Sequence, residues 1–357
     1  MPMDFPSSPT IGQQSNGYVW TGVAWDSTSA QPISLATTAP GYNAIINGSF
    51  DIWQRGTSFS NVSSVTYTAD RWWVGKDATA TLNVTRESLT PGISSTFGFE
   101  SEYSLRFNVS SWTSLPVYLT TRVEDVRTLS GQTATLSYWA KSNVSVTNTP
   151  LLVQAFGSGG SPVVATSLGS SASITTSWQK FTHTFVLPSV SGKTIGAGSF
   201  IDLQVLRFSQ AAVVDIAGVQ LEEGAAATEF RRNAPSIQAE LAACQRYYWR
   251  LTGNQPFSVL AHGITGNTTT LYVKISTPVP MRILPTSLEF SNLCAANGSS
   301  NSAPVTNLTT GNFSPDATSS SITLTATYPA FSSAVVPMFL ATFGNATPQF
   351  LGISAEL

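Results

Sequence analysis

Apolar residues recur at every second position along much of this chain, with serine, threonine, asparagine or an occasional charge between them. Leu105, Phe107 and Val109 alternate with Ser104, Arg106 and Asn108, and the same pattern returns at Val117, Leu119 and Val123 and at Leu136, Tyr138 and Ala140. A period of two puts one set of side chains on one face of a strand and the other set on the opposite face, so stacked sheets are expected. From Trp178 to Leu187, Phe181, Phe185 and Leu187 share parity with His183, which places that histidine in packing at a sandwich edge. Near Val213 to Leu221 the parity changes at Ala217-Gly218, where a β-bulge fits. Only 10% of the 357 residues are charged, against about a quarter in ordinary soluble domains, so hydroxyls and amides must solvate the outer faces.

The chain is long enough for several domains. Residues 1–42 read as a separate piece punctuated by Pro2, Pro6, Pro9, Pro32 and Pro40, with one small hairpin expected to turn near Thr21-Gly22. Residues 43–232 have the strand spacing of an all-β sandwich, with loops at 157–162 and 192–198. Residues 233–251 read as a linking helix: Asn233 can cap it, Pro235 suits its first turn, and Ala, Glu, Leu and Gln propagate it. Along it Ile237, Leu241, Cys244, Tyr248 and Leu251 follow a 4-3-4-3 spacing, which suits either an oligomer seam or a helix lying on its own sandwich. Residues 252–357 return to alternation and form a second β-domain, with 292–316 expected as long surface loops.

Several function classes fall away on composition. A net charge of −2 supplies no basic field for nucleic acid and no cationic face for anionic lipid. No apolar run reaches 18 residues, and the start has neither the charged nor the apolar part of an export signal. Cys244 and Cys294 have no zinc-type spacing and read as free thiols. No nucleophile-elbow, zinc-protease or phosphate-loop pattern occurs, and the adjacent acids Glu222-Glu223 and Glu124-Asp125 would point to opposite sides of a strand. No enzymatic activity is expected.

Asn47-Gly48-Ser49-Phe50-Asp51 near the start of the sandwich and Asp215-Ile216-Ala217-Gly218-Val219-Gln220-Leu221-Glu222 at its close resemble the opening and closing stretches of jelly-roll domains of the carbohydrate-binding-module type. The wording Asp51-Ile52-Trp53-Gln54-Arg55-Gly56-Thr57 with Tyr67-Thr68-Ala69-Asp70-Arg71-Trp72-Trp73 resembles bacteriophage tail-fibre and other virion proteins. So do residues 5–25, similar to short fibre-attachment modules, and Glu240-Leu241-Ala242-Ala243-Cys244-Gln245-Arg246-Tyr247-Tyr248 after the sandwich. The resemblance covers under half of the chain. It implies a jelly roll whose first and last stretches meet, and a homotrimeric virion protein, either a tail fibre that adheres to host-surface polysaccharide or a head fibre or capsid-decorating protein. Residues 1–42 would contact other virion proteins; a virion-borne polysaccharide-degrading enzyme is the competing expectation. The resemblance also implies that no cofactor is required but that structural calcium could bind, with Asp51 and Asp215 as its side chains. Aromatic faces suited to sugar rings narrow to Trp53, Trp73, Trp112 and Trp139.

Overall fold

The structure, a computed structural model, describes residues 6, 8, 13–15, 18–20, 25–27, 42–76, 79–169, 171–253, 255–296, 302–310, 321–329, 338–344 and 348–357. The chain divides into two compact units, Met1–Ala39 and Pro40–Leu357. In the first, Gln14–Ser15, Tyr18–Trp20 and Trp25–Ser27 form a three-stranded antiparallel meander, with Trp20 opposite Trp25. The Thr21-Gly22 turn expected there lies outside the described residues.

The second unit opens with an all-β sandwich of jelly-roll type. Its first sheet runs, in spatial order, Gln179–Val186, Thr133–Ser142, Ala212–Glu223, Tyr103–Ser111, Thr81–Ser88 and Ser58–Phe59. The second runs Val164–Ser167, Leu151–Ala155, Phe200–Phe208, Val117–Glu124, Trp72–Gly75 and Thr66–Tyr67. The alternating apolar sets face inwards: Leu105, Phe107, Val117, Leu119, Leu136 and Tyr138 are fully buried in one core with Trp72 and Phe50. His183 is buried on the edge strand between the Tyr138 hydroxyl and the Leu168 carbonyl oxygen. The bulge is present: the register between Thr133–Ser142 and Ala212–Glu223 shifts at Ser137/Trp139, where Gly218 takes a left-handed φ of +60°.

The opening and closing stretches of the sandwich meet. The Ala44 amide donates to the Leu221 carbonyl, and the Val219 amide donates to that of Gly48. Asn43, fully buried, fastens this seam. Its Nδ2 donates to the carbonyls of Val219 and Arg231, and its Oδ1 accepts from the amides of Ile45 and Leu221.

The helix is shorter than expected. It spans Ile237–Gln245 and is capped by Ser236, whose Oγ accepts from the Ala239 amide, while Asn233 instead donates to the Asn43 carbonyl. Beyond Arg246 the chain becomes the strand Tyr248–Thr252, paired residue for residue with Phe350–Ser354. The aromatic run Tyr247-Tyr248-Trp249 favours a pleated surface, and an available strand partner overrides helix propagation. The 4-3-4-3 seam is therefore corrected. Cys244 and Tyr248 are buried inside this chain, Leu251 packs on the C-terminal core from a strand, and of the five positions only Ile237 is well exposed.

Beyond the helix a three-stranded sheet (Tyr248–Thr252, Phe350–Ser354, Ser287–Ser291) and a seven-stranded sheet enclose a second core around Leu271, Val273, Leu324, Leu340 and Ile353. Within the span 292–316 expected as loops, of which 297–301 and 311–316 lie outside the described residues, Leu293–Ala296, Ser302–Pro304 and Asn307–Thr310 are strands. Their sparse apolar residues, Leu293, Ala295, Ala303 and Leu308, reach this core.

The two cores are joined through arginines. Arg71 is sealed from solvent and pairs with Glu356. Its Nη2 donates to the Arg122 carbonyl at 2.7 Å, and its guanidinium lies 3.5 Å from the Tyr247 ring centre. Arg55 pairs with the same carboxylate at 3.4 Å and stacks over Tyr248. Nearby Asp70 accepts from the backbone and side-chain amides of Gln54, whose Nε2 also donates to the Tyr248 carbonyl.

Asn43→Ala removes four hydrogen bonds from the seam and should lower stability by about 2–4 kcal/mol at roughly 1 kcal/mol each, read from urea unfolding. Burial pushes Asp70 up to about 6 from an ordinary value near 3.8, with Arg55 and Gln54 opposing the rise. As pH rises from the unfolded to the folded value, the unfolded chain gives up a proton that native Asp70 keeps, so this residue's stabilising contribution falls across that window. Asp70→Asn should flatten the corresponding pH dependence of unfolding by roughly 3 kcal/mol, because a tenfold difference in proton affinity between folded and unfolded chains corresponds to about 1.4 kcal/mol.

Candidate functional site

The strands of the second sheet send Val117, Leu119 and Thr121 inwards and Tyr118, Thr120 and Arg122 outwards, as the alternation requires. The pairing registers set a row of outward residues across four strands: Trp73 opposite Thr120, Thr120 opposite Gln204, and Gln204 opposite Leu151. Adjacent strands lie about 4.8 Å apart, so Trp73 and Gln204 sit about 10 Å from each other, a span of one to two sugar rings. Flanking rows place Arg122 opposite Asp202 and Gly75 opposite Tyr118.

Each side chain on this face is held by its neighbours. A Cβ on Gly75 would lie 1.9 Å from the Tyr118 ring, so glycine is what lets that ring cross the sheet and meet Trp73 edge to face at 5.8 Å. Asp202 accepts from the Thr120 hydroxyl at 2.7 Å and from the Arg122 Nε at 3.1 Å, and burial raises its pKa. The Arg122 guanidinium lies between the rings of Trp73 and Phe200, at 4.9 and 4.4 Å. Two buried polar atoms on the row have no partner among the described residues: the Trp73 indole Nε1–H, on a side chain only 6% exposed, and the Gln204 Oε1. Unmet polar atoms are uncommon in folded proteins, and here one donor and one acceptor occur on the same row.

Trp73, Thr120 and Asp202 are buried, so what this face offers is the half-buried Tyr118 ring, the Arg122 guanidinium, the Gln204 amide and Leu151. That set suits a neutral polyhydroxylated ligand: C–H faces pack on rings while amide and charged groups read hydroxyls. Asp202 is the one carboxylate among the residues of these rows, whereas glycoside hydrolysis ordinarily uses two.

The other nominated residues fall elsewhere. Trp53 is in the sandwich core with its Nε1 bound to the Phe50 carbonyl, and Trp112 packs at the core margin with its Nε1 on that of Leu115. Trp139 lies on the outer face of the first sheet in a cluster with Phe97 and Trp178, beside Phe99 and Phe230. Trp72 points inwards and Trp73 outwards, but both are buried, because the sheet face over Trp73 is itself covered. Sequence reasoning missed Tyr118, Thr120, Arg122, Asp202 and Gln204. The available signal was Asp202 and Gln204 in the wet parity of an otherwise apolar central strand.

Calcium does not fit the two nominated aspartates. Calcium takes six to eight oxygen ligands. Asp51 is instead paired with Arg232 at 2.8 Å, and Asp215 sits between Arg106 at 2.7 Å and Lys141 at 3.7 Å. Among the described residues no group of three or more His, Cys, Asp or Glu is placed to hold a metal ion.

No family model matches the chain. No curated protein matches it either. Among solved structures, the enzymatically active domain of tailspike protein 4 from bacteriophage CBA120 is similar over 52% of this chain at 16% identity and a TM-score of 0.35. The chain spans 22% of that structure. The CBM22-1 xylan-binding domain of Paenibacillus barcinonensis Xyn10C is similar over 48% of this chain and 94% of its own, at 13% identity and a TM-score of 0.31. A putative sugar-binding protein from Bacteroides thetaiotaomicron is similar over 51% of this chain and 100% of its own, at 14% identity and a TM-score of 0.35.

Proposed function

We propose that this protein is a non-enzymatic structural component of a bacteriophage particle, a tail fibre or receptor-binding protein that adheres to host-surface polysaccharide through the outer face of the second sheet. The observation that carries the binding reading is the half-buried outward set Tyr118, Arg122 and Gln204 on adjacent strands, a ring, a guanidinium and an amide held in place by the buried Trp73, Thr120 and Asp202 beside them. The particle reading is supported by the wording of residues 5–25, 44–73, 213–232 and 236–248. Residues 1–42 act as the attachment segment to other virion proteins. The assembly is a trimer whose contacts lie outside the helix seam, because Cys244 and Tyr248 are used within the chain.

Binding to a glycan array by the purified chain tests the face. Trp73→Ala and Gln204→Ala should each weaken the strongest glycan by about tenfold, equivalent to roughly 1.4 kcal/mol, with the sandwich's circular dichroism retained. Gly75→Val, which drives Tyr118 off the sheet, should do the same. Wild-type affinity in all three variants would remove this face as the binding surface, and depolymerisation of the bound glycan would move the protein to the enzymes. Deleting residues 1–42 should abolish incorporation into particles, scored by electron microscopy with the protein labelled, while leaving glycan binding intact.

A further inference from the structure

Where the sandwich meets the C-terminal sheets there is a cavity of about 570 Å³, within the range of roughly 300–1,000 Å³ common to small-molecule sites. Arg55, Phe59 and Tyr67 line it from the sandwich, and Arg250, Glu289 and Phe350 line it from the C-terminal side.

The two arginines differ in how their charge is met. Arg55 has Glu356 at 3.4 Å and Glu289 at 3.9 Å. Arg250 forms no ion pair among the described residues. Its Nη1 donates to the carbonyls of Arg55 at 2.5 Å and Gln54 at 3.3 Å, its guanidinium lies over the Phe350 ring at 3.4 Å, and its Nε–H, buried, meets no acceptor. A guanidinium keeps its charge at any physiological pH, so a counter-charge must come from outside the chain or be forgone.

We propose that this cavity binds a sugar carrying one carboxylate, a hexuronate, with the carboxylate against Arg250. One uncompensated cation matches a single negative charge. A phosphate dianion would meet the carboxylates of Glu289 and Glu356 across the same space, and these repel it. The same carboxylates accept the several hydroxyl hydrogens that a sugar offers, against the single one of a hydrogen phosphate dianion, and Phe59 and Phe350 supply apolar surface for ring C–H groups. The site uses no residue of the Trp73–Gln204 row, so it stands or falls separately from binding at the sheet face.

Calorimetric titration of the full chain with D-glucuronate, methyl glucuronate and inorganic phosphate tests it. Glucuronate should bind about tenfold or more tightly than its neutral methyl ester, the value of a charge-assisted hydrogen bond, and phosphate should not displace it. Arg250→Gln should erase the preference for the acid over the ester. Phe59→Ala, on the opposite wall, should weaken glucuronate several-fold and serves where Arg250→Gln fails to fold. Equal affinity for acid and ester, competition by phosphate, or undiminished binding in either folded variant would overturn the assignment.

Discussion

The buried pairing of Arg71 with Glu356 is the contact on which the Pro40–Leu357 unit turns. Removing one partner of such a pair strands the other charge in a medium that cannot solvate it, at a cost of about 3–5 kcal/mol. Here a single carboxylate is shared by Arg55 and Arg71, and each guanidinium is also stacked on a tyrosine from the segment that follows the helix. The chain has few charges, and it places several of them at this junction instead of on its surface. With the contact in place, the last strand lies against the sandwich, Arg122 is drawn towards Leu357, and the cavity between Arg55 and Arg250 has both its walls.

The same sharing of scarce charges shapes the outer face of the second sheet. Arg122 serves four neighbours at once, as partner of Asp202, as cover for Trp73 and Phe200, and as a contact of Leu357. A side chain so constrained is positioned before any ligand arrives, which lowers the entropy lost on binding. Tyr118 is fixed in a different way, by the missing side chain at Gly75.

How much of this could be read from the residues depends on the scale of the interaction. Alternation is local, so the all-β class, the inward sets around Phe107 and Tyr138, the packing of His183 and the bulge at Gly218 were all legible. The meeting of residues 43–48 with 219–221 was legible through resemblance. The end of the helix was not, because Tyr248 becomes a strand residue only by pairing with Ser354, more than 100 positions later. The row Trp73–Thr120–Gln204 was hidden for a related reason: parity shows that Trp73 and Gln204 point away from the core, but only the strand order sets them on one line. Asp51 and Asp215 misled because the arginines that occupy them, Arg232 and Arg106, are distant in sequence.

The fastening at Asn43 has a mechanical side. The polypeptide enters the sandwich at residues 42–44 and leaves it at 231–233, and the two points are tied together by Asn43 to Arg231 and by Asn233 to Asn43 and Tyr42. Tension carried from residue 42 to residue 233 thus meets a few hydrogen bonds before it can separate the layered strands. A pull between residues 42 and 233 loads that clasp first, whereas a pull on Leu357 acts on the second sheet through Arg122.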